Sequence, residues 1–280
     1  MNTSQSSRPN KEKIIYWIVI SLAVLFVLLQ VFFPFIHSQT KQPSLPSSPP
    51  KNEPTEYSND DFFYIYLDEN HESIQITGLN TYSKLGQIVV VPQKIGGKRV
   101  VKIEGLKDNE YSWISYNLEK IFLEDNFEAD KNPFKKCPRL KSVIIQNFER
   151  DENLPRGIME WIDDERSCYI AADVYSSLDG DIKNYVKPGN VSFMLNYEDA
   201  PYFGVYWVDN VPYGEKISFT PKNPKRRGYR FKGWFKEPEC VNDWTNDHSL
   251  PERVIDENGA EVFQELKLYA KWEKIEWIIV

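Results

Sequence analysis

Cysteine and histidine are scarce in this sequence of 280 residues, with three of each, and their spacing removes several chemistries. Cys137, Cys168 and Cys240 are too few and too scattered for a disulfide framework, and no Cys-x-x-Cys pair offers a zinc site, so free thiols are expected. His37, His71 and His248 share neither a segment nor a His-x-x-x-His spacing, which leaves no support for a metal or acid-base site. Asp163-Asp164-Glu165 and Asp179-Gly180-Asp181 lack the loop length and terminal Glu of a calcium hand and read as turns and surface. Ser38-Gln39-Thr40-Lys41 has a Ser-x-x-Lys spacing but lies in a Pro- and Ser-rich stretch without companion motifs. No catalytic residue, cofactor or metal is therefore expected.

Charge is absent from residues 14–36 (IIYWIVISLAVLFVLLQVFFPFI), although the mean hydropathy of the chain, -0.52, is that of a soluble protein. As a helix this run would be roughly 34 Å long, enough for a hydrocarbon core of ~30 Å. It is longer than the apolar part of a secretory signal and has no small-residue cleavage site, so a retained transmembrane helix is expected. Arg8, Lys11 and Lys13 precede it and only Lys41 follows closely. That bias puts residues 1–13 in the cytoplasm and the remainder outside, with too little chain inside for an effector domain. The formal charge is -7, and residues 1–13 contribute +2 (Arg8, Lys11 and Lys13 against Glu12), so the rest carries -9. An acidic exterior disfavours nucleic acid as a partner.

Residues 37–61 are rich in Pro, Ser and charge and read as a stalk that cannot form a core, reaching at most roughly 78 Å if extended as polyproline. From residue 62 onward, long helical patterns are absent and short β-branched and aromatic runs alternate with turns, the mark of many short strands. IVVVP (88–92), RVVKIEG (99–105), LEKIFL (118–123), LKSVII (140–145) and CYIAA (168–172) align as related units. Leu118 to Leu140 is 22 residues, a leucine-rich-repeat period. A junction is expected near Lys187-Pro188-Gly189-Asn190.

Two resemblances follow. IVVVPQKIGGKRVVKIEG (88–105), NLEKIFLEDNFEADKNPFKKCPRLKSVII (117–145) and CYIAADVYSSLDGDIKNYV (168–186) resemble the BspA-type leucine-rich repeat of bacterial surface proteins, with Pro133, Phe134 and Cys137 at its Ala-Phe and Gly-Cys positions. Residues 149–166 fit that pattern poorly. Gly228-Tyr229-x-Phe231-x-Gly233-Trp234-Phe235, followed by Leu268-Tyr269-Ala270-Lys271-Trp272, resembles the Listeria-Bacteroides repeat, the B-repeat of internalin-type proteins. This implies a small β-grasp-like sheet with Tyr229, Phe231 and Trp234 in its core. The resemblances imply a mainly β protein, with a short leucine-rich-repeat solenoid over 62–187 and a β-grasp-like domain over 188–280 following the expected transmembrane helix and stalk.

Two clusters suit binding. Lys222, Lys225, Arg226, Arg227, Arg230 and Lys232 form a cationic run on an otherwise acidic exterior, fit for a wall polyanion or an acidic protein face, with a merely solvated hairpin as the alternative. Tyr202, Phe203, Tyr206 and Trp207 are dense enough for a sugar- or protein-binding patch, but alternation along a strand would bury about half of them. The expectation is a non-catalytic cell-surface binding protein, adhesin-like or a scaffold, engaging an extracellular or envelope protein or a wall polymer. A membrane-proximal structural or envelope-assembly factor is the alternative, and an envelope hydrolase ranks behind both.

Overall fold

The computed structural model describes residues 56–80, 86–105, 113–245, 250 and 252–276. The expected transmembrane helix, most of the stalk and the Ser38–Lys41 spacing lie outside these residues. Among the described residues, no helix is long and apolar enough to cross a membrane. The chain is mainly β, with only two short α-helices, α1 (Arg156–Met159) and α2 (Ala172–Ser177), among the described residues.

The first sheet contains β1 (Tyr57–Ser58), β2 (Phe62–Tyr66), β3 (Ser73–Leu79), β5 (Lys94–Ile95) and β6 (Lys98–Ile103), in the order β1-β2-β3-β6-β5. The first described strand, β1, thus lies inside the segment read as stalk. Gly96 and Gly97, with φ of 57° and 84°, make the two-residue turn between β5 and β6, a backbone that side-chain-bearing residues resist. RVVKI therefore folds back as a hairpin strand in this sheet and does not join the units with which it was aligned.

The other four units form one parallel ladder, β4 (Ile88–Val91), β7 (Lys120–Leu123), β8 (Ser142–Ile145) and β9 (Ser167–Ile170), which a fifth strand outside the aligned units, β10 (Val186–Pro188), extends in chain order. Lys120 stands opposite Ser142, so the 22-residue spacing is one rung. The stretch that fitted poorly carries α1, where Gly157 approaches the chain so closely that a Cβ would lie 2.2 Å from the Lys131 carbonyl. Behind the ladder, Phe134 meets Trp113 and Trp161 edge-on at 5.4 and 5.9 Å, joining three successive connections in one aromatic column.

The third sheet, in the order β12-β11-β14-β13, comprises β11 (Val191–Met194), β12 (Val205–Asp209), β13 (Tyr229–Phe235) and β14 (Leu266–Lys274). Its central pair, β11 and β14, is parallel and its outer pairings are antiparallel. β12 lies against the ladder. Alternate ladder residues Ile121, Leu123, Val143 and Ile145 are buried, yet their neighbours Phe122 and Ile144 are buried as fully. Both faces are covered because Phe122 packs on Trp207 and Phe219, at 5.1 and 4.8 Å between ring centres.

Polar contacts fix the same interface. The Gln146 amide pairs with the open edge of β12, accepting from Val208 N at 2.7 Å and donating to Val208 O at 3.1 Å. Lys120 Nζ donates to Asp209 Oδ1 at 2.6 Å and to Asn210 O at 2.9 Å. At the junction, the Asn190 side chain both donates to and accepts from the Val211 backbone. A Cβ on Gly189 would meet Val208 Cγ1 at 2.4 Å, so this glycine permits direct contact between ladder and sheet. One hydrophobic core consequently runs through both regions.

Candidate binding site

The cationic run surrounds the turn into β13. Gly228, at φ 78°, reverses the chain so that Tyr229 N donates to Arg226 O, while Ile275 N holds Gly228 O. This brings the Arg226 guanidinium over the Tyr229 ring at 3.8 Å and the Tyr197 ring at 4.3 Å, with Trp272 at 5.9 Å. Trp272 is itself fixed, its Nε1 donating to Leu195 O at 2.6 Å. Electron-rich ring faces attract the cation and leave it half-buried, held without an opposing carboxylate.

Lys225 and Arg227 flank it, both exposed. Among the described residues, Lys225, Arg226 and Arg227 form no salt bridge, so their charge is uncompensated by contact. Arg230 and Lys232 differ. The pairing of β13 with β14 shifts between Phe231 and Gly233, and this irregularity turns Arg230 and Lys232 toward the same Glu273, at 3.6 and 3.5 Å. They form a screened surface cluster around one carboxylate. Phe231 and Trp234 pack inward; Trp234 meets Phe193 at 4.9 Å and is buried, whereas Tyr229 remains half-buried as a wall of the arginine cage.

The aromatic candidates separate into three environments. Tyr202 lies on the surface, 44% exposed, beside Phe203 at 69%. Tyr206 is half-buried, donates its hydroxyl to Lys222 O at 2.8 Å and stacks with Trp234. Trp207 is buried against the ladder and acts in packing.

The remaining reactive groups have structural surroundings. Cys137 donates to Trp113 O at 3.1 Å, and burial pushes its thiol up to about 11. Burial raises Cys168 as well, and half-buried Cys240 less strongly; all three are free. His71 stacks on Tyr66 at 4.1 Å, and Asp163 is held low by its hydrogen bonds from Arg166. Among the described residues, no group of three His, Cys, Asp or Glu side chains is arranged to hold a metal.

Tyr197 and Trp272, the other walls of the cage, were not singled out from sequence. Trp272 reaches Arg226 through the pairing of β14 with β13 and Tyr197 from the segment that follows β11, although the aromatic ends of VSFMLNY and LYAKW were visible. No characterised protein and no solved structure matches the chain. Residues 190–271, which contain β11, β12, β13, most of β14 and Tyr197, Arg226 and Tyr229 of the cage, match the family model of the Listeria-Bacteroides repeat domain.

Proposed function

We propose that this chain is a membrane-anchored protein of the bacterial cell surface that captures an anionic envelope macromolecule through its basic hairpin. The observation that carries the reading is Arg226, fixed between Tyr197 and Tyr229 and flanked by the unpaired cations Lys225 and Arg227. A cation already ordered loses little freedom on binding an anion, and no internal carboxylate must be displaced. The match to the Listeria-Bacteroides repeat suggests a surface-associated, non-catalytic module. Anchoring rests on the uncharged run 14–36 and the cations before it. The leucine-rich-repeat-like reading of the ladder draws on its chain-order parallel strands and 22-residue rung; the β-grasp-like reading of the third sheet draws on its parallel central pair.

The partner is a wall polyanion or an acidic protein surface. Isolated cell wall should retain the full chain at low salt and release it as salt rises, because exposed charges are screened within ~10 Å at 0.1 M. Changing Arg226, Arg227 and Arg230 together to Ser should abolish retention; retention that survives the change overturns the reading. Removing residues 1–40 should make a detergent-requiring protein soluble. A mature form beginning near residue 38 would instead identify a secreted protein.

A further inference from the structure

Three cavities join end to end along the seam between the ladder and the third sheet. The first, about 600 Å³, contains Asp61, Pro92 and Glu124 opposite Trp207 and Phe219. The second, about 340 Å³, shares Glu124 and Trp207 with it and adds Gln93, Asn147 and Tyr202. The third, about 560 Å³, shares Gln146 and Tyr202 with the second and continues to Ala171, Val174 and Phe203. Gln93, Glu124, Gln146 and Ala171 follow the carboxy-terminal ends of β4, β7, β8 and β9. The groove therefore crosses four neighbouring strand ends, three spacings of ~4.8 Å or roughly 14 Å. That shape suits a linear polymer rather than a compact small molecule.

Its lining narrows the choice. Tyr202 and Phe203 have φ of 52° and 57°, consecutive left-handed aromatic residues whose backbones cost of order 1 kcal/mol each. The strain presents two rings to solvent at the groove wall, which does nothing for the core. Asn147 Nδ2 and Gln93 Nε2 both donate to Glu124 O, at 2.7 and 3.1 Å, which fixes both amides. Gln93 Oε1, Asn147 Oδ1 and Glu124 Oε1 are left as acceptors with no protein donor among the described residues. Flat apolar rings beside fixed acceptors complement a sugar ring, which has C–H faces and a rim of hydroxyl donors.

Charge excludes the ligand assigned to the hairpin. Asp61, Glu124, Glu149 and Asp151 outnumber Lys94, Lys222 and Arg150, and Arg150 is already paired with Asp179 at 3.0 Å. A polyanion is repelled here. We propose that this groove binds a linear, uncharged glycan.

The test titrates the purified full chain with hexamers of β-1,4-linked glucose and of β-1,4-linked N-acetylglucosamine, followed by calorimetry. At least one should bind with an affinity insensitive to salt. Tyr202→Ala should weaken it about tenfold, the loss of one ring contact, while Tyr202→Phe retains it. Phe203→Ala, at a mostly solvated side chain, takes over if Tyr202→Ala lowers the thermal midpoint. The triple change at Arg226, Arg227 and Arg230 should leave glycan binding intact, which separates this site from the hairpin. Failure of both hexamers to bind overturns the proposal. So does binding undiminished by both ring deletions, or preferential binding in the groove of poly-glutamate or of a peptide copying the Pro-rich residues 42–55.

Discussion

On β12, at one edge of the third sheet, Trp207 is enclosed by Phe122 and Phe219, Gln146 caps the backbone, and Lys120 neutralises Asp209. On β13, at the other edge, Arg230 and Lys232 share Glu273 in solvent, and Arg226 is held only by aromatic faces. Both strands are rich in aromatic residues, but one edge is dry and its buried carboxylate is paired with a lysine, although Trp207 Nε1 and Asp209 Oδ2 have no partner, while the other is wet and carries surplus positive charge. The dry edge joins the sheet to the ladder. The wet edge is free to meet a partner, and its charges also discourage edge-to-edge association.

The largest effect should come from emptying the dry edge. Trp207→Ala removes a ring that is only 7% exposed and should cost about 3–5 kcal/mol in urea denaturation, as for other buried aromatic truncations. Because the core is continuous, one cooperative transition should move as a whole. A second, unshifted transition from the ladder would show that the sheet and ladder unfold independently.

A smaller but pH-sensitive loss should follow Lys120→Met. Asp209 is fully buried, Oδ2 has no hydrogen-bond partner, and burial pushes its carboxyl above the ordinary value against the pull of Lys120. A carboxyl with a raised native pKa binds its proton more readily folded than unfolded, so stability falls as pH rises from the unfolded pKa through the native one. Without Lys120 the carboxyl should be raised further, so the fall continues to higher pH. Lys120→Met should cost about 3 kcal/mol at neutral pH, and the deficit should shrink on acidification as the carboxyl takes up its proton. Adding Asp209→Asn should remove the pH dependence of the deficit; a deficit independent of pH in Lys120→Met would show that Asp209 is not the group responsible.

The β-rich character, the charged turn and the aromatic hairpin were legible because short-range signals carry them: alternation, Gly-bounded turns and a local motif. The surroundings of Trp207 were not. Alternation assigns one face of a strand to the core, but β7 and β12 are covered on both faces at their contact, and period alone cannot reveal a second cover. RVVKI was misaligned for a related reason, since a β-branched run looks alike in either sheet and only the Gly96-Gly97 turn separates the two outcomes. Sequence grouped Arg226, Arg230 and Lys232 in one cationic run. The structure groups Arg230 and Lys232 around Glu273 and moves Arg226 into a cage whose walls come from residues 197, 229 and 272.

The smallest predicted effect therefore lies within the basic turn, between neighbours of equal charge. Arg226→Ser removes contacts with two rings and should cost about 0.5–1 kcal/mol, the range for a partly exposed cation over aromatic faces. Arg227→Ser, at an exposed and unpaired side chain, should stay within ~0.5 kcal/mol of the parent. Two changes of the same chemistry one residue apart differ here only in the cage, and chemical denaturation of the two variants beside the parent measures that difference. Tyr197→Leu supplies the control: in that background the cost of Arg226→Ser should fall, since one of its two nearest rings is gone, whereas Arg227→Ser should be unaffected. Equal costs at the two positions in both backgrounds would mean that the rings do not hold the guanidinium. Arg226 would then be as mobile as its neighbours, and the wet edge would hold no ordered cation.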